Sequence, residues 1–285
     1  MSKTVLVTGT STGFGKLTVK TLAKEGYTVI AGMRGTKDKN AAVAAELSGI
    51  PGVEVAELDV TNDASVNSAV ADIIAKHGQI DVLVNNAGVY GGGVLEAFSV
   101  QQVHNLLDVN LYGVLRLNNA VLPGMRSRRE GLIINISSGL GLFSLPNSVP
   151  YNISKFALEG LTEGQSAELA PFGIETVSIQ PGAYPTEIFG KAGVSADREH
   201  ITEAYGDHAK QVSEKIGAAM FAGFDKHKSD PQAIADGVLH LIKTPKGQRP
   251  LRLPLDAAGQ GFDKEFVEVS KTARHNWLNA GGLLA

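Results

Sequence analysis

Short runs of apolar residues recur along the chain, and stretches with apolar residues three and four positions apart lie between them. The runs predict seven strands, at residues 4–7, 27–31, 53–58, 81–84, 132–136, 174–179 and 251–253. The stretches predict helices, chiefly over residues 38–47, 63–77, 99–125, 151–172, 195–205, 207–220, 231–243 and 262–278. Strands that alternate with helices are typical of a doubly wound parallel sheet, so we expect a Rossmann-type α/β fold in one domain over residues 1–285.

Glycine-rich and polar motifs follow the ends of these strands, where ligands bind in a doubly wound sheet. The first strand leads into a glycine-rich turn and then a helix, an arrangement that places a dinucleotide pyrophosphate against a helix N-terminus. The spacing is Gly-x-x-x-Gly-x-Gly rather than Gly-x-Gly-x-x-Gly, and a glycine-rich turn alone also occurs in ordinary loops. The flanking strand and helix favour a cofactor site made by Gly9, Ser11, Thr12, Gly13, Phe14 and Gly15.

The end of the second strand indicates which dinucleotide the site prefers. An acidic side chain usually stands there when NAD is bound, because it holds the adenine ribose hydroxyls. Here the residues are Gly32, Met33 and Arg34. An arginine suits the 2′-phosphate of NADP, and Thr12 would add a hydroxyl to the same phosphate. Arg34 would otherwise be a solvated loop residue, but the missing acid favours NADP(H) over NAD(H).

Two further strand ends supply residues for the same cofactor. Asp59 and Val60 follow the third strand, and the Asp59 side chain would reach the adenine amino group. The alternative role of Asp59 is to cap the helix that begins near residue 63. Asn86, Ala87 and Gly88 follow the fourth strand, where small residues let the backbone lie under the cofactor.

The strongest candidate for chemistry is a tyrosine and a lysine four residues apart, Tyr151 and Lys155. That spacing places both on one face of a helix. A phenol has an ordinary pKa of about 10, and a neighbouring ammonium lowers that pKa because it favours the phenolate. Ser138 lies thirteen residues before Tyr151, where its hydroxyl would hold the oxygen that the tyrosine protonates. The pair alone would be an ordinary surface pair, but the three together suit proton transfer to or from a carbonyl or alcohol oxygen.

Composition removes several other classes of function. Of the 285 residues, 43% are hydrophobic and 19% charged, which is typical of a folded globular protein. A formal net charge of −3 gives no sign of a nucleic-acid or membrane partner. There is no cysteine for thiol chemistry, and the 7 histidines lack zinc-type spacing, so we expect no catalytic metal. The N-terminus runs directly into a strand, so we expect no signal peptide and a cytoplasmic location.

The motifs together resemble the short-chain dehydrogenase/reductase family, in its single-domain NADP(H)-dependent form. The matching residues stand in the family's order and spacing and cover residues 4–186: Thr8-Gly9-x-x-x-Gly13-x-Gly15, Asp59, Asn85-Asn86-Ala87-Gly88, Asn110, Ser138, Tyr151-x-x-x-Lys155 and Pro181-Gly182-x-x-x-Thr186. Phe14, Met33-Arg34 and the long C-terminal extension are most similar to the hydroxysteroid and retinol dehydrogenase-like branch.

The resemblance implies a role for each catalytic candidate. Tyr151 would be the general acid in reduction and the general base in oxidation. Lys155 would lower the pKa of that tyrosine and hold the nicotinamide ribose. Ser138 would bind the substrate oxygen, with Ser137 as the competing serine. Asn110, set in an apolar helix where a buried amide needs partners, would hold a water that links Lys155 to solvent.

The residues beyond the sixth strand bear on the nicotinamide and on the substrate. The resemblance implies that Pro181 and Gly182 turn the chain there and that Thr186 binds the nicotinamide carboxamide. Residues 186–230 would form a substrate lid over the cleft, or a structural insertion without substrate contact. The candidate pocket residues, each of which would equally fit a core, are Tyr90, Ser138, Leu140, Leu145, Tyr151, Tyr184, Ile188 and Phe189. Their apolar and aromatic character favours a hydrophobic substrate.

The C-terminal extension, residues 255–285, bears on assembly. Family members often form dimers through the helices at 99–125 and 151–172 and tetramers through the C-terminal edge. An extra helix would cover that edge, so we expect a homodimer.

The function that the sequence favours is that of an NADP(H)-dependent carbonyl reductase or alcohol dehydrogenase acting on a hydrophobic ketone or secondary alcohol. One alternative is an NAD-dependent, hydroxysteroid-like alcohol dehydrogenase. Another is a non-catalytic, dinucleotide-sensing regulator. An intact set of Ser138, Tyr151, Lys155 and Asn110 argues against the regulator, because a sensor has no need of all four.

Overall fold

The computed structural model describes residues 2–189 and 193–282. Its seven strands are β1 (Thr4–Thr8), β2 (Thr28–Met33), β3 (Val53–Glu57), β4 (Val82–Asn85), β5 (Gly131–Ile136), β6 (Ile174–Pro181) and β7 (Arg252–Leu255). They form one parallel sheet in the order β3-β2-β1-β4-β5-β6-β7. The Rossmann-type fold expected from the sequence is therefore confirmed.

Helices connect the strands and cover both faces of the sheet. They are α1 (Gly13–Lys24), α2 (Ala41–Ser48), α3 (Asp63–His77), α4 (Val100–Leu107), α5 (Gly113–Arg128), α6 (Val149–Leu169), α7 (Glu199–Ala204), α8 (Gly206–His227), α9 (Gln232–Lys243) and α10 (Phe262–Ala280). The helix predicted as continuous over residues 99–125 contains a π-helical turn at Asp108–Tyr112, which separates α4 from α5. Such turns are frequent at functional sites.

The strands read as continuous apolar runs because both of their faces are buried. In β1, Val5 and Val7 pack into one core with Leu22 of α1 and Val238 of α9. Leu6 points to the opposite face, into a second core. These two cores hold the sheet between its helical layers and fix the carboxyl ends of the strands at a single edge.

The order of the strands creates a crevice at that edge. The chain leaves β1 toward β2 and β3, and then returns to place β4 on the other side of β1. Loops that leave β1 and β4 therefore turn in opposite directions, and ligands of doubly wound sheets bind in the gap between them.

The C-terminal third packs over the same end of the sheet. In the loop before α6, Asn147 donates its side-chain amide to the Ala209 carbonyl at 3.0 Å and to the Ser213 hydroxyl at 2.8 Å, which ties α8 to this edge. Helix α10 is held on α6 by Arg274, which bonds Glu163 at 2.8 Å. In the part of the chain that the structure describes, no helix is long and apolar enough to cross a membrane.

Candidate active site

A cleft of about 1050 Å³ opens at the carboxyl edge of the sheet, at the upper end of the range for ligand sites. Most of the predicted site residues line it: Gly9, Ser11, Thr12, Gly13, Phe14, Arg34, Asp59, Val60, Asn86, Ala87, Gly88, Tyr90, Ser138, Leu140, Leu145, Tyr151, Lys155, Pro181, Gly182, Tyr184, Thr186 and Ile188. The structure thus brings together residues that the chain spreads over 180 positions.

Two glycines of the β1–α1 turn have no room for a side chain. Gly9 has φ +68°, and a Cβ placed on it would lie 2.7 Å from the Ala87 backbone. A Cβ on Gly15 would lie 2.4 Å from the Asn86 side chain and 2.5 Å from the Gly9 carbonyl. Gly15 packs the turn against the loop after β4 and does not line the cleft itself. Its predicted contact with the cofactor stays a prediction.

The loop after β4 is fixed to the glycine turn by hydrogen bonds. The Asn86 side-chain amide donates to the Thr8 carbonyl at 2.8 Å and to the Gly9 carbonyl at 3.1 Å. The Thr8 hydroxyl accepts from the backbone amides of Asn86 and Ala87, both at 3.0 Å. These bonds leave the backbone of residues 86–88 facing the cleft, as the small residues predict.

The cleft ends beyond β2 in a basic loop. Because β2 runs to Met33, Arg34 follows the strand directly and lies beside Lys39 in the cleft wall. The Glu57 carboxylate accepts from the Gly35 and Thr36 amides, both at 2.8 Å. These bonds hold residues 35–40 as a loop, and α2 begins only at Ala41. Lys39 was missed at the sequence level because residues 38–47 read as one helix.

Asp59 lies at this end too, but it does not cap a helix. Its carboxylate accepts from the Thr61 amide at 2.9 Å and the Thr61 hydroxyl at 2.7 Å. The residue that caps α3 is Asn62, which accepts from the Ser65 amide at 2.9 Å. One Asp59 oxygen stands 3.8 Å from the Arg34 guanidinium, so the carboxylate also orients the arginine.

Ser138, Tyr151 and Lys155 meet at the opposite end of the cleft. Ser138 follows β5, and its hydroxyl forms a hydrogen bond with the Tyr151 phenol. Lys155 lies one turn further along α6, with its ammonium 5.5 Å from the centre of the tyrosine ring. Ser137, the competing serine, is buried and its hydroxyl has no partner among the described residues. The geometry therefore joins Ser138, rather than Ser137, to the tyrosine.

The pKa of Tyr151 differs from the sequence prediction, in which Lys155 lowers it. Burial raises the pKa of the Tyr151 phenol above its ordinary value, Ser138 opposes the rise through its hydrogen bond, and Tyr90 adds to it. Lys155 is not among the groups that set this pKa, and its ammonium donates to the Ile136 carbonyl at 2.9 Å. Burial also lowers the pKa of Lys155 to about 8, against an opposing effect of the Glu159 carboxylate.

Asn110 lies in the π-helical turn and is almost fully buried, at 1% exposure. Its side-chain nitrogen donates to the Val89 carbonyl at 2.9 Å and to the Ser154 hydroxyl at 3.0 Å. Its oxygen accepts from the Val89 amide at 2.8 Å. Both amide hydrogens are used, so the side chain holds the loop after β4. The water relay between Asn110 and Lys155 stays a prediction.

The predicted pocket residues divide into two groups. Tyr90, Leu140, Leu145 and Ile188 line the cleft, with the Tyr90 ring 5.1 Å from that of Tyr151. Tyr184 touches the cleft but belongs mainly to the core. It packs edge-on against Phe14 at 5.6 Å and donates its hydroxyl to the Leu255 carbonyl at 2.9 Å. The side chain of Phe189 lies outside the described part of the structure.

Helix α8 forms part of the wall of the cleft. Ile216, Ala219 and Met220 of this helix line it, which favours the lid over an insertion remote from substrate. On the other side, Thr186 faces the glycine turn, since a Cβ on Gly13 would lie 3.6 Å from the Thr186 Cβ. The described residues contain no group of three or more metal-ligating side chains.

The sequence also missed two acidic residues of the cleft, Asp256 and Asp263. Asp256 follows β7 directly, so the rule that ligands bind at carboxyl ends of strands points to it. Asp263 lies in the first turn of α10 and gives no signal in the sequence, because its position in the cleft depends on how the extension folds back.

Comparisons with known proteins agree with this architecture. Residues 3–196 match the family model described as short chain dehydrogenase. A 3-ketodihydrosphingosine reductase from Bacteroides thetaiotaomicron is 40% identical over 191 residues, which are 67% of each chain. Human retinol dehydrogenase 8 is 42% identical over 194 residues, 66% of this chain and 61% of the relative.

A solved structure extends the likeness to most of the chain. ElxO with NADP bound superposes with a TM-score of 0.73 at 26% identity, over 90% of this chain and 98% of its own. The family model alone spans more than half of the residues, and it contains every motif from the glycine turn to Thr186. The protein is therefore a member of the short-chain dehydrogenase family, similar to its retinol dehydrogenase-like branch, and an oxidoreductase of CH–OH and C=O groups.

Proposed function

We propose that the protein is an NADP(H)-dependent carbonyl reductase, reversible as an alcohol dehydrogenase, for hydrophobic ketones and secondary alcohols. The observation that carries the proposal is the meeting of Ser138, Tyr151 and Lys155 at the apolar end of a cleft whose other end is basic. Of the described residues there, Arg34 and Lys39 supply positive charge where an NAD site has an acid.

The residues present fit a dinucleotide. Gly9 and Gly15 keep side chains out of the turn at the N-terminus of α1, which leaves backbone amides and the helix dipole to hold a pyrophosphate. Arg34, Lys39 and Thr12 would hold the 2′-phosphate, and the family neighbour ElxO carries NADP. When bound, NADPH supplies the hydride, and NADP⁺ accepts one in the reverse direction.

The remaining chemistry is proton transfer by this chain's own side chains. The Ser138 hydroxyl and the Tyr151 phenol would both bond the carbonyl oxygen of the substrate, and Tyr151 would donate its proton as that oxygen gains charge. The raised pKa of Tyr151 keeps it protonated at neutral pH, which suits the acid needed for reduction. Lys155 would hold positive charge beside Gly88, near which its ammonium lies.

The substrate class follows from the wall of the cleft. Leu140, Leu145, Ile216 and Met220 present apolar surface, so a bulky or long-chain ketone gains binding energy from burial there. We expect NADPH-dependent turnover in a panel of 3-ketodihydrosphingosine, retinal, a 3-oxoacyl thioester and acetone, with acetone the poorest. Tight NADPH binding without turnover of any member would contradict the reductase and favour the dinucleotide sensor.

The cofactor preference gives a first prediction. Arg34→Asp removes a charge-assisted contact to the 2′-phosphate and adds a repulsive one, so we expect the KM for NADPH to rise about 10- to 100-fold. The KM for NADH should stay the same or fall, and steady-state kinetics with both cofactors measures this. Arg126→Asp makes the same charge change on the exposed surface of α5 and should change neither KM. An unchanged NADPH preference in Arg34→Asp would show that Arg34 does not hold the 2′-phosphate, whereas a wild-type protein that prefers NADH would support the NAD-dependent alternative.

Assembly gives a second prediction, that of a homodimer through α5 and α6. Leu115, Ile153 and Phe156 are 38%, 41% and 45% exposed on these helices, although they are apolar. Burying a glutamate at such an interface is costly, so Phe156→Glu should give a monomer by light scattering. Lys264→Glu, on the exposed side of α10, should leave the dimer intact. A stable tetramer, or no change in mass for Phe156→Glu, would contradict the predicted interface.

A further inference from the structure

Tyr90, in the loop after β4, packs on the residue proposed above as the proton donor. Its ring centre lies 5.1 Å from that of Tyr151, and the two ring planes are tilted by 56°. The Lys155 ammonium lies 5.5 Å from the centre of the Tyr151 ring. Burial is the main reason that the pKa of the Tyr151 phenol is raised, and Tyr90 adds to the rise. Tyr90 is therefore a close neighbour of the acid, yet the proposed proton transfer gives it no part.

Hydrogen bonds and packing hold Tyr90 in one orientation. Its hydroxyl forms a hydrogen bond of 2.7 Å with the Ser148 hydroxyl, and Ser148 is only 2% exposed. The ring folds back over its own loop at Gly92, where a Cβ would lie 2.7 Å from a ring carbon. The Tyr90 carbonyl accepts from the Val194 amide at 3.0 Å. The residue is thus fixed by its backbone and by the far end of its side chain.

Ser148 stands directly before α6, at the position from which a serine usually caps a helix. A capping hydroxyl accepts from the amide of the second or third helical residue. The second residue here is Pro150, which has no amide hydrogen, and the third is Tyr151. The Ser148 hydroxyl makes no capping bond and is bonded to Tyr90 instead. Tyr90 therefore takes the hydroxyl that would otherwise be available to the backbone of the catalytic tyrosine.

A second hydrogen bond joins the Tyr90 loop to the start of α6. The Gly93 amide donates to the Asn147 carbonyl at 2.8 Å. Asn147 has φ +55°, in the left-handed region, and it turns the chain into the helix. Its side chain is bonded in turn to α8. The loop and the first turn of α6 are thus joined through main chain and side chain, so a shift of the Tyr90 hydroxyl would be passed to Tyr151.

We propose that Tyr90 and Ser148 are positioning residues, whose hydrogen-bonded hydroxyls hold the first turn of α6 so that the Tyr151 phenol faces the substrate oxygen. We call these two residues the hydroxyl pair. The inference rests on the reductase function proposed above, in which Tyr151 is the proton donor. No proton passes through the hydroxyl pair, which acts only through Tyr151. Misplacing a reacting group by about 1 Å can lower a rate about 100-fold, so the loss of this bond should be measurable.

The test is a double-mutant cycle of Tyr90→Phe and Ser148→Ala, read by steady-state kinetics with NADPH and a ketone from the panel above. Each variant loses the bond between the two hydroxyls, so each should lower kcat about 10-fold. The double variant should also lose about 10-fold rather than about 100-fold, because the bond can be lost only once. The KM for NADPH should not change, since the hydroxyl pair acts on the proton donor and not on the cofactor.

Stability separates positioning from a merely structural role. In Tyr90→Phe the Ser148 hydroxyl is released and becomes available to cap the Tyr151 amide, so the urea midpoint of unfolding should not fall. A lower kcat without a loss of stability is not expected if the bond serves only to hold the fold together. Tyr205→Phe is the matched control. It removes a phenol hydroxyl that bonds Glu96 at 2.9 Å, away from the cleft, and should leave kcat unchanged.

Wild-type kcat in both single variants, or losses that multiply in the double variant, would overturn the inference while leaving the reductase intact. A second measurement does not depend on turnover. In protein with carbon-13-labelled tyrosine, the NMR signal of Tyr151 is identified by its absence from Tyr151→Phe. It should move in Ser148→Ala, but not when Ser148→Ala is added to Tyr90→Phe. That result, without turnover of any ketone by the wild type, would keep the coupling and reject the reductase, whereas an unmoved signal would reject the coupling.

Discussion

Replacing Tyr151 by phenylalanine is expected to lower ketone turnover by at least about 1000-fold, within the range measured for removing a general acid. The variant removes one hydroxyl, so the carbonyl oxygen of the substrate keeps the Ser138 hydroxyl but loses its proton donor. The ring stays in place and retains its contact with Tyr90 at 5.1 Å. The folded structure and the affinity for NADPH should therefore change little. Single-turnover reduction of a bound ketone, with NADPH binding measured by fluorescence, separates the two effects.

The matched control for this prediction is Tyr27→Phe. Tyr27 precedes β2 and does not line the cleft, so loss of its hydroxyl should leave turnover within about twofold of wild type. Turnover by Tyr151→Phe within tenfold of the wild type would contradict the assignment of the proton donor. Loss of NADPH binding in the same variant would indicate instead that Tyr151 acts mainly in holding the cofactor.

Replacing Lys155 by methionine is expected to lower turnover by about 100-fold or more and, in the same protein, to raise stability at neutral pH. Lys155 is 5% exposed, and burial lowers the pKa of its ammonium to about 8 from the ordinary value of 10.5. Because of that difference, the buried charge lowers the free energy of unfolding by about 3 kcal/mol at pH 7. Methionine removes the charge but leaves the Ile136 carbonyl without its hydrogen-bond donor. We therefore expect the free energy of unfolding of Lys155→Met to exceed that of the wild type by about 2 kcal/mol.

The pH dependence gives the sign of this effect. Below about pH 8 the lysine is protonated in both the folded and the unfolded chain, and the destabilisation is complete. Between pH 8 and 10.5 only the unfolded chain keeps the proton, so wild-type stability from this group rises with pH. The advantage of Lys155→Met should therefore be largest below pH 8 and should vanish near pH 10.5.

Urea unfolding at several pH values measures the predicted difference in free energy. Lys264→Met, at an exposed position of α10, should show no such pH-dependent advantage. A variant Lys155→Met that is less stable than wild type at pH 7 would show that the bond to Ile136 outweighs the burial of charge. Retention of full turnover would remove Lys155 from the catalytic set.

Buried, poorly paired charge is concentrated in this cleft. Lys155 and Asp263 both lie almost entirely out of water, and Asp263 has no hydrogen-bond partner among the described residues. By contrast, buried Glu159 on the same helix as Lys155 bonds Arg252 at 2.7 Å and Gln180 at 3.0 Å. Elsewhere in the core the protein neutralises its charges, and local departures from that rule are typical of functional sites.

The sequence by itself determined the order of the secondary structure and the edge of the sheet where the site lies. Apolar runs and helical spacing are local properties, and they gave all seven strands because a parallel strand buried on both faces is continuously apolar. Ser138, Tyr151 and Lys155 could be chosen because two of them are one helical turn apart and the third follows a strand. Arg34 followed from the absence of an acid after β2.

Only the tertiary structure decided what the environment does to those groups. The pKa of Tyr151 is raised rather than lowered, because desolvation depends on every residue packed around the ring and not on the lysine four positions away. The amide of Asn110 is used by Val89 and Ser154, which lie 21 and 44 residues away in the chain. Lys39 enters the cleft because Glu57 holds the loop before α2, and Asp263 enters it because α10 folds back over the carboxyl edge of the sheet. Burial and long-range hydrogen bonds are set by which distant segments meet, and no local pattern in the sequence records that.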